Sequence, residues 1–522
     1  MSWPTHEAAT HTTIAGRATR VRGVAQVPPS VVLAIILVAA CALRLYKFTA
    51  FAFWFDESVS LALSRYPWSH VFARIGEDIG PPLYFVVLKL WCLLFGQSLA
   101  ALRSLSLACD LAAVWLAYLF VKEAFGSVRL ALVAALLLAV NPFQIQYARE
   151  TRMYAMGVCL VLLASWCLAR ALRSGRPRDW IVYAAAAAAC VYTHYYLIFS
   201  IVAQAIVAAG VCLAQPVPRQ RARALASCAL AYALAAVLFV PWLPTFLAQT
   251  RRVQQDFWIP RLTTETVLRI PWALVFGGSD SGWAPIPWLV VVAAGLVALL
   301  AVAARHARSW PSWLVIAQAV VPIVAGLALS TNRPIFVDRY FLFASAFWSI
   351  LLALVIARAP AARVRHALVA CVVLMSVAAF AKNLNAIGLA SIRHPTEKPG
   401  MAGAAAFVNS HARPGDAIVV AHSLIFFSLT YYNTTPIRPL LYSTVRLEAF
   451  PYYAGRSVLD PEDMLHDLLA IAGPRRVWYV WTDGFYQHKL DVPASWRLES
   501  TRRFEDTPTY KGSIVIDTYW IP

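Results

Sequence analysis

Apolar runs of about 16–22 residues recur from residue 30 to residue 381, separated by short polar or basic stretches. An α-helix rises 1.5 Å per residue, so runs of about 20 residues match the thickness of a bilayer core. The pattern predicts about eleven spans, at 30–46, 104–121, 129–141, 153–169, 180–193, 197–214, 224–247, 285–304, 313–330, 341–357 and 366–381. The first is preceded by Arg17, Arg20 and Arg22, as a signal peptide would be. It lacks a small-residue cleavage site and is followed by Arg44 and Lys47, which predicts a retained helix. One further run, 82–96, is short, contains Lys89 and begins at Pro82. With the N-terminus inside and 82–96 not crossing, Lys122, Arg129, Arg170 to Arg178, Arg219 to Arg223, Arg305, Arg308 and Arg358 to Arg365 all fall in inside loops. Positive charge collects on the cytoplasmic side, so this topology is favoured, with 82–96 at the outer interface or re-entrant. Beyond residue 381 the period changes. AIVVA (417–421), VWYVW (477–481) and SIVIDTYWI (513–521) read as strands among helical stretches.

The expected organisation is a tail (1–29), an all-α polytopic membrane domain (30–381) with a long first outer loop (47–103), and a small α/β domain (382–522) outside the membrane. Composition agrees. The chain is 60% hydrophobic and 14% charged, with mean hydropathy +0.62; soluble domains carry about 25% charged residues. The net charge of +19 resides largely in the predicted inside loops, and no basic stripe interleaved with aromatics marks a nucleic-acid surface. The nine cysteines lie in or beside apolar runs and none falls after Cys371, so disulfides do not hold the C-terminal domain. No CxxC pair suggests a structural zinc site.

Several predicted outer loops break the charge rule. NPFQIQYARETRMY (141–154) holds Arg149, Glu150 and Arg152; TNRPIFVDRY (331–340) holds Arg333, Asp338 and Arg339; Arg251 and Arg252 lie in 248–283. Arginine at a membrane edge is a good bidentate phosphate ligand, although it also snorkels or pairs with neighbouring carboxylates. In the first outer loop, Asp56-Glu57 stands among aromatics, where ionisable groups tend to be functional. Glu57, Leu61 and Ser64 fall at helical spacing, so the pair opens an interfacial helix. Asp56 then serves as a general base towards an acceptor hydroxyl, as a helix N-cap, or as both, since the two roles are compatible. Glu77 and Asp78 precede Gly80-Pro81-Pro82, and either contact substrate or a metal or cap the next helix. His194, in VYTHYY, is an interfacial residue or a substrate contact. Asp110, in mid-span, is expected to face the protein interior, too far along its helix from Arg103 for a close pair.

Taken together, WFDE (54–57), Gly-Pro-Pro-Leu-Tyr (80–84), Tyr-Ala-Arg-Glu-x-Arg-Met-Tyr (147–154), Tyr-x-His-Tyr (192–195), DFWIP (256–260) and Asp-Arg-Tyr (338–340) resemble the GT-C membrane glycosyltransferases, nearest the bacterial protein-mannosyltransferase and aminoarabinose-transferase group. The resemblance covers about residues 30–381 and rests on the order of the motifs. It implies a GT-C fold and transfer of a monosaccharide from a polyprenyl-phosphate donor, usually with inversion, to a lipid, glycan or protein acceptor at the outer face of the cytoplasmic membrane. It implies Asp56 as general base with Glu57 as its partner, and a donor-phosphate cavity lined by Arg149, Arg152 and Arg339, with Tyr154, His194 and Tyr340 as further substrate contacts. Relatives often carry His or Lys just before the proline pair, where this chain has Ile79-Gly80, so a contact made there falls to His194 or is lost. No cofactor is required by this reading, and a divalent ion at Asp56/Glu57 is left open. The competing reading is a polyprenyl-linked glycan flippase or secondary transporter without catalysis. A transporter would concentrate its polar groups near the bilayer midplane rather than at one face.

Overall fold

The structure is a computed structural model. It describes residues 27–255, 259–277, 286–393, 400–485, 487–506 and 511–522. Most of the tail and Asp256 to Trp258 of the DFWIP motif lie outside these residues.

Every predicted span coincides with a helix. The chain opens with α1 (Pro29–Leu45), then three helices in the segment between α1 and the next span, α2 (Phe55–Arg65), α3 (Trp68–Glu77) and α4 (Leu83–Phe95). There follow α5 (Leu99–Phe125), α6 (Val128–Ala139), the short α7 (Pro142–Tyr147), α8 (Tyr154–Ser174), α9 (Pro177–Thr193), α10 (Ile198–Leu213) and α11 (Pro218–Phe239). Next come α12 (Leu243–Gln255), α13 (Thr264–Phe276), α14 (Ile286–Arg305), α15 (Trp310–Ser330), α16 (Leu342–Ile356) and α17 (Ala362–Arg393). Among the described residues, eight helical segments are long and apolar enough to cross a membrane. The other three predicted spans correspond to α1, α6 and α9, of 17, 12 and 17 residues. At 12 residues α6 is too short to span alone. Pro142 restarts the helix as α7, and Asn141 caps it by accepting from the N–H groups of Phe143 and Gln144. The 13 residues of α4 reach only about 20 Å, short of a bilayer core. Lys89 of α4 turns back to donate to the carbonyls of Ser64 and Tyr66, closing the end of α2. The loop assigned to 248–283 contains two helices, α12 and α13, which alternation of spans does not reveal.

Helix boundaries follow local chemistry. Pro29, Pro177 and Pro218 each stand in a first turn, where the missing N–H costs nothing. Gly126 ends α5 at φ 66, a left-handed conformation that a side chain would strain. Helices α8 and α16 are the most enclosed of the spanning segments, whereas α11, α14 and α17 expose most of their apolar surface, as helices facing lipid do. Between α1 and α5, Arg44 forms an ion pair with Asp110, both side chains buried, and Arg44 also donates to the carbonyls of Ala40 and Ala139. Asp110 therefore faces the interior, and its partner comes from a different helix than Arg103.

The C-terminal domain adds α18 (Gly400–His411), β1 (Ala417–Val420), α19 (Ser423–Tyr432), β2 (Pro439–Tyr442), β3 (Met464–Leu465), β4 (Arg475–Thr482), β5 (Arg497–Asp506) and β6 (Gly512–Ile521). The strands form one sheet in the order β3-β2-β1-β4-β6-β5. The first four are parallel, and β6 and β5 run antiparallel. Strands β1, β4 and β6 are the three predicted from sequence. The two-residue β3 and the largely exposed β5 lack a clear alternating signal. The domain is fastened to the segment that carries α2 and α3. Ser428 of α19 meets Ser58 of α2 at 3.2 Å, Tyr432 accepts from the N–H of Phe53 at 2.8 Å, and Phe427 lies against Phe55. Asp460 forms an ion pair with Arg74 of α3 at 3.0 Å.

Candidate functional site

Helix α2 starts at Phe55, with Trp54 in the N-cap position, so Asp56 sits inside the first turn and does not cap the helix. Its two neighbouring carboxylates diverge. Glu57 is fully buried and Arg103 grips it with two bonds, Nε to Oε1 at 2.9 Å and Nη2 to Oε2 at 2.7 Å. The N–H of Thr151 adds a third bond to Oε1 at 2.8 Å. The remaining Arg103 donors go to the carbonyls of Phe48, Phe51 and Ala52. This pair ties α2, α5 and the 148–153 loop into one unit. Both Glu57 oxygens are engaged by Arg103 and the Thr151 N–H, which leaves Asp56 as the member of the pair that faces the cluster.

Asp56 points the other way, into a half-open cluster, its side chain 18% exposed against 0% for Glu57. Arg152 approaches its carboxylate to 3.9 Å and Arg339 to 3.7 Å, from loops 96 and 283 residues away in sequence. Both distances exceed a direct hydrogen bond. Arg152 is anchored by Nη1 to the Asp56 carbonyl at 3.2 Å and the Ser60 hydroxyl at 3.0 Å. Arg339 donates from Nε to the Tyr154 hydroxyl at 3.2 Å and lies near the rings of Trp54 and Tyr340. Tyr154, Tyr340, Tyr196 and His194 form an aromatic wall, with ring centroids 4.9 to 6.2 Å apart between neighbours. Tyr196 was not anticipated, although it lies two residues beyond His194 in the same motif.

His194 follows α9, buried. Burial, then the charges of Arg152 and Arg339, push its pKa down to about 3, so it is neutral at any working pH. Its Nδ1 accepts from the N–H of Tyr196 at 3.3 Å, which leaves the proton on Nε2, where it can be donated. Asp78 also belongs to the cluster. Burial first, then the nearby Asp56 carboxylate, raise its pKa to about 6 against the pull of Arg152. Glu77, one residue earlier, is exposed and pairs loosely with Arg74 at 3.7 Å. Arg252, one of the arginines that break the charge rule, donates to the carbonyls of Gly76, Glu77 and Asp78, fixing the turn that presents Asp78.

Arg149 departs from expectation. Its guanidinium donates to the carbonyls of Tyr46 and Lys47 at the end of α1 and lies over Phe51, on the Arg103 side of the loop. Its Nη2 bonds backbone rather than Asp56, and its Nε is buried without a hydrogen-bond partner. Glu150, read from sequence as a partner for Arg149, is a half-buried acid whose Oε2 is enclosed. Burial, then the charges of Glu57 and Asp56, raise its pKa to about 8 against Arg339 and Arg103, and its Oε2 has no hydrogen-bond partner. Since the unfolded-state value is about 4.5, the folded protein holds a proton that the unfolded chain releases between about pH 4.5 and 8. Stability should therefore fall as pH rises through that window. Glu150→Gln, permanently neutral, is expected to flatten this part of the Tm-against-pH curve of the detergent-solubilised protein. An unchanged slope would show that Glu150 is ionised in the fold.

Among the described residues there is no group of three or more His, Cys, Asp or Glu side chains that could hold a metal ion. What the cluster offers is a carboxylate that can take a proton, two guanidinium groups beside it, and neutral donors on aromatic rings.

Residues 80–244 match the family model described as dolichyl-phosphate-mannose-protein mannosyltransferase. No curated protein matches the sequence. Among solved structures, ArnT from Cupriavidus metallidurans bound to undecaprenyl phosphate superposes with a TM-score of 0.58 at 13% identity, covering 94% of this chain and 97% of its own. Its apo form gives 0.57 at 14% identity over the same shares. At this identity the likeness speaks for the fold, in the membrane domain and the C-terminal domain alike. The helical architecture, the motif order and the matched segment agree: this chain has the fold of the GT-C membrane glycosyltransferases, and its residues 80–244 are similar to the protein-mannosyltransferase family.

Proposed function

We propose that the chain transfers a monosaccharide from a polyprenyl-phosphate donor to an acceptor at the outer face of the cytoplasmic membrane, with inversion at the anomeric carbon. The observation that carries this reading is Asp56, half-open and flanked at 3.7 and 3.9 Å by Arg339 and Arg152. The acceptor oxygen attacks the anomeric carbon, Asp56 takes its proton, and the bond from that carbon to the phosphate oxygen breaks. A sugar phosphodiester carries one negative charge and the departing phosphate monoester up to two. The two arginines therefore gain interaction as the bond breaks, which is the differential stabilisation that lowers a barrier. Attack and departure on opposite faces of one sugar invert its configuration. Tyr154, Tyr340 and neutral His194 supply an aromatic wall and uncharged donors for the sugar. Asp78, across the cluster, is suited to a sugar hydroxyl. Glu57 acts by position, holding the start of α2 through Arg103. Arg149 has a bracing role at the end of α1. The C-terminal domain, joined to α2 and α3, faces the same outer compartment, where the ArnT fold neighbour's bound undecaprenyl phosphate suggests the class of lipid carrier.

The test is transfer of radiolabelled sugar from a polyprenyl-phosphate-sugar pool in membranes. Arg152→Ala and Arg339→Ala should each lower transfer about a hundredfold or more, by analogy with loss of one donor to a developing oxyanion. Arg339→Lys should recover only part, since a point charge cannot reproduce the fork. If wild-type membranes transfer no sugar to lipid, glycan or protein while polyprenyl-linked glycan still reaches the outer leaflet, the flippase reading replaces this one.

A further inference from the structure

The parallel part of the C-terminal sheet has a feature that the reaction above does not use. Its order is β3-β2-β1-β4, so the chain leaves β1 towards β2 and β3 on one side and then returns to lay β4 on the other. The connections diverge at the carboxyl end of β1, which opens a crevice there; in open α/β sheets such switch points are where ligands bind. A cavity of about 500 Å³ occupies this place, within the range of small-molecule sites. It is walled by the residues following β1 (His422, Ser423), the end of β2 (Tyr442, Ser443), Tyr453 from the β2–β3 connection and Asp491 beyond β4.

The lining narrows the ligand. Among the described residues it contains no lysine or arginine and one carboxylate, Asp491, and burial holds the His422 imidazole towards its neutral form, so these residues offer little counter-charge to a phosphate or nucleotide. The segment after β1, AHSLIFFS (421–428), also lacks the glycine pattern that lets a backbone approach a pyrophosphate. What it provides are aromatic side chains, Tyr442, Tyr453 and Phe450, together with hydroxyls and a carboxylate acceptor. Aromatic faces cover the apolar C–H face of a pyranose while hydroxyls and a carboxylate take its O–H groups.

The crevice is tied mechanically to the reactive end. Helix α19 starts at its rim with Ser423 and, one turn later, packs Phe427 and Ser428 on Phe55 and Ser58 of α2, the helix that carries Asp56. The segment bearing Tyr453 passes beneath α19 at Gly455, where φ is +90° and a Cβ would stand 2.5 Å from the Phe427 ring. It continues to Asp460, paired with Arg74 of α3.

We propose that this crevice binds a neutral saccharide, the non-reacting sugar unit of the acceptor, and so presents acceptors to Asp56. The assignment to an acceptor rests on the transferase reading; sugar binding itself does not, and the two are measured separately. Saturation-transfer NMR on the full chain in detergent would use lactose, cellobiose, maltose and N,N′-diacetylchitobiose as probes, with AMP as the anionic control. Saturation transfer to at least one disaccharide is expected, with affinity about tenfold weaker in Tyr442→Ala and in Asp491→Asn, at an exposed position, and unchanged in Asp56→Asn. No saturation transfer to any of the four sugars, or transfer that survives both crevice substitutions, would overturn the proposal. So would AMP binding that is sensitive to Tyr442→Ala. Sugar binding that behaves as expected in a protein without transferase activity would keep the crevice and remove the acceptor role.

Discussion

Asp56→Asn is expected to lower sugar transfer by about a hundred- to ten-thousand-fold, the range of a lost general base. The substitution keeps the shape and removes both the charge and the proton-accepting oxygen. Fold damage should be small, because the Asp56 carboxylate makes no direct hydrogen bond to its arginines and does not cap α2. Removing its negative charge also takes away one carboxylate that draws on both Arg152 and Arg339. Polyprenyl-phosphate binding should then be retained or tightened even as transfer collapses. That opposition separates a base from a structural residue, for which binding and transfer would fall together. The comparison needs labelled-sugar transfer and polyprenyl-phosphate binding on the same preparations at matched expression. Near-normal transfer by Asp56→Asn would remove the base assignment.

The second large effect concerns stability. Glu57→Ala or Arg103→Ala alone should cost about 3–5 kcal/mol, because each strands a buried charge. Both side chains are almost wholly enclosed, and Arg103 holds three carbonyls of the segment leading into α2 besides Glu57. The double replacement Glu57→Met/Arg103→Met removes both charges and should recover a substantial part of the loss, since a buried ion pair often adds little over apolar packing of similar volume. The measurement is thermal unfolding of the purified protein in detergent. If Glu57→Ala unfolds at the wild-type temperature but fails to transfer sugar, Glu57 is a reacting group and the positioning role is wrong. Activity in the double replacement, where α2 is held without charge, should exceed that of either single one. The reverse order would show that the charge pair serves the chemistry directly.

Much of this was legible in the sequence because the forces involved are local or one-dimensional. An apolar run of sufficient length has to become a helix in a bilayer, since its backbone groups find no partner otherwise. All eleven runs are helices, and prolines, Asn141 and Gly126 mark several of the ends. Asp56 and Glu57 stood out because carboxylates in an apolar stretch require a reason, and Arg152 and Arg339 because they violate the charge asymmetry of the loops. Helices α12 and α13 were hidden, since Arg251, Arg252 and Gln254 interrupt the apolar pattern of one and Pro271 the other.

What the sequence could not assign was the division of labour among neighbouring charges. Asp56 and Glu57 are adjacent, yet one turn of helix geometry sends Glu57 to Arg103 and Thr151, 46 and 94 residues away, and leaves Asp56 to Arg152 and Arg339. Asp78 and Glu77 part in the same way, one into the cluster and one to the surface, and Arg149 and Arg152 part around a single bend. A charge takes its role from whichever partner the packed chain brings within a few ångströms, because the Coulomb term and the desolvation cost both change steeply over that distance. Sequence alone determined which residues are chemically costly in their surroundings. Only the tertiary structure decided which of those costs are offset by a fixed partner and which are left available for a substrate.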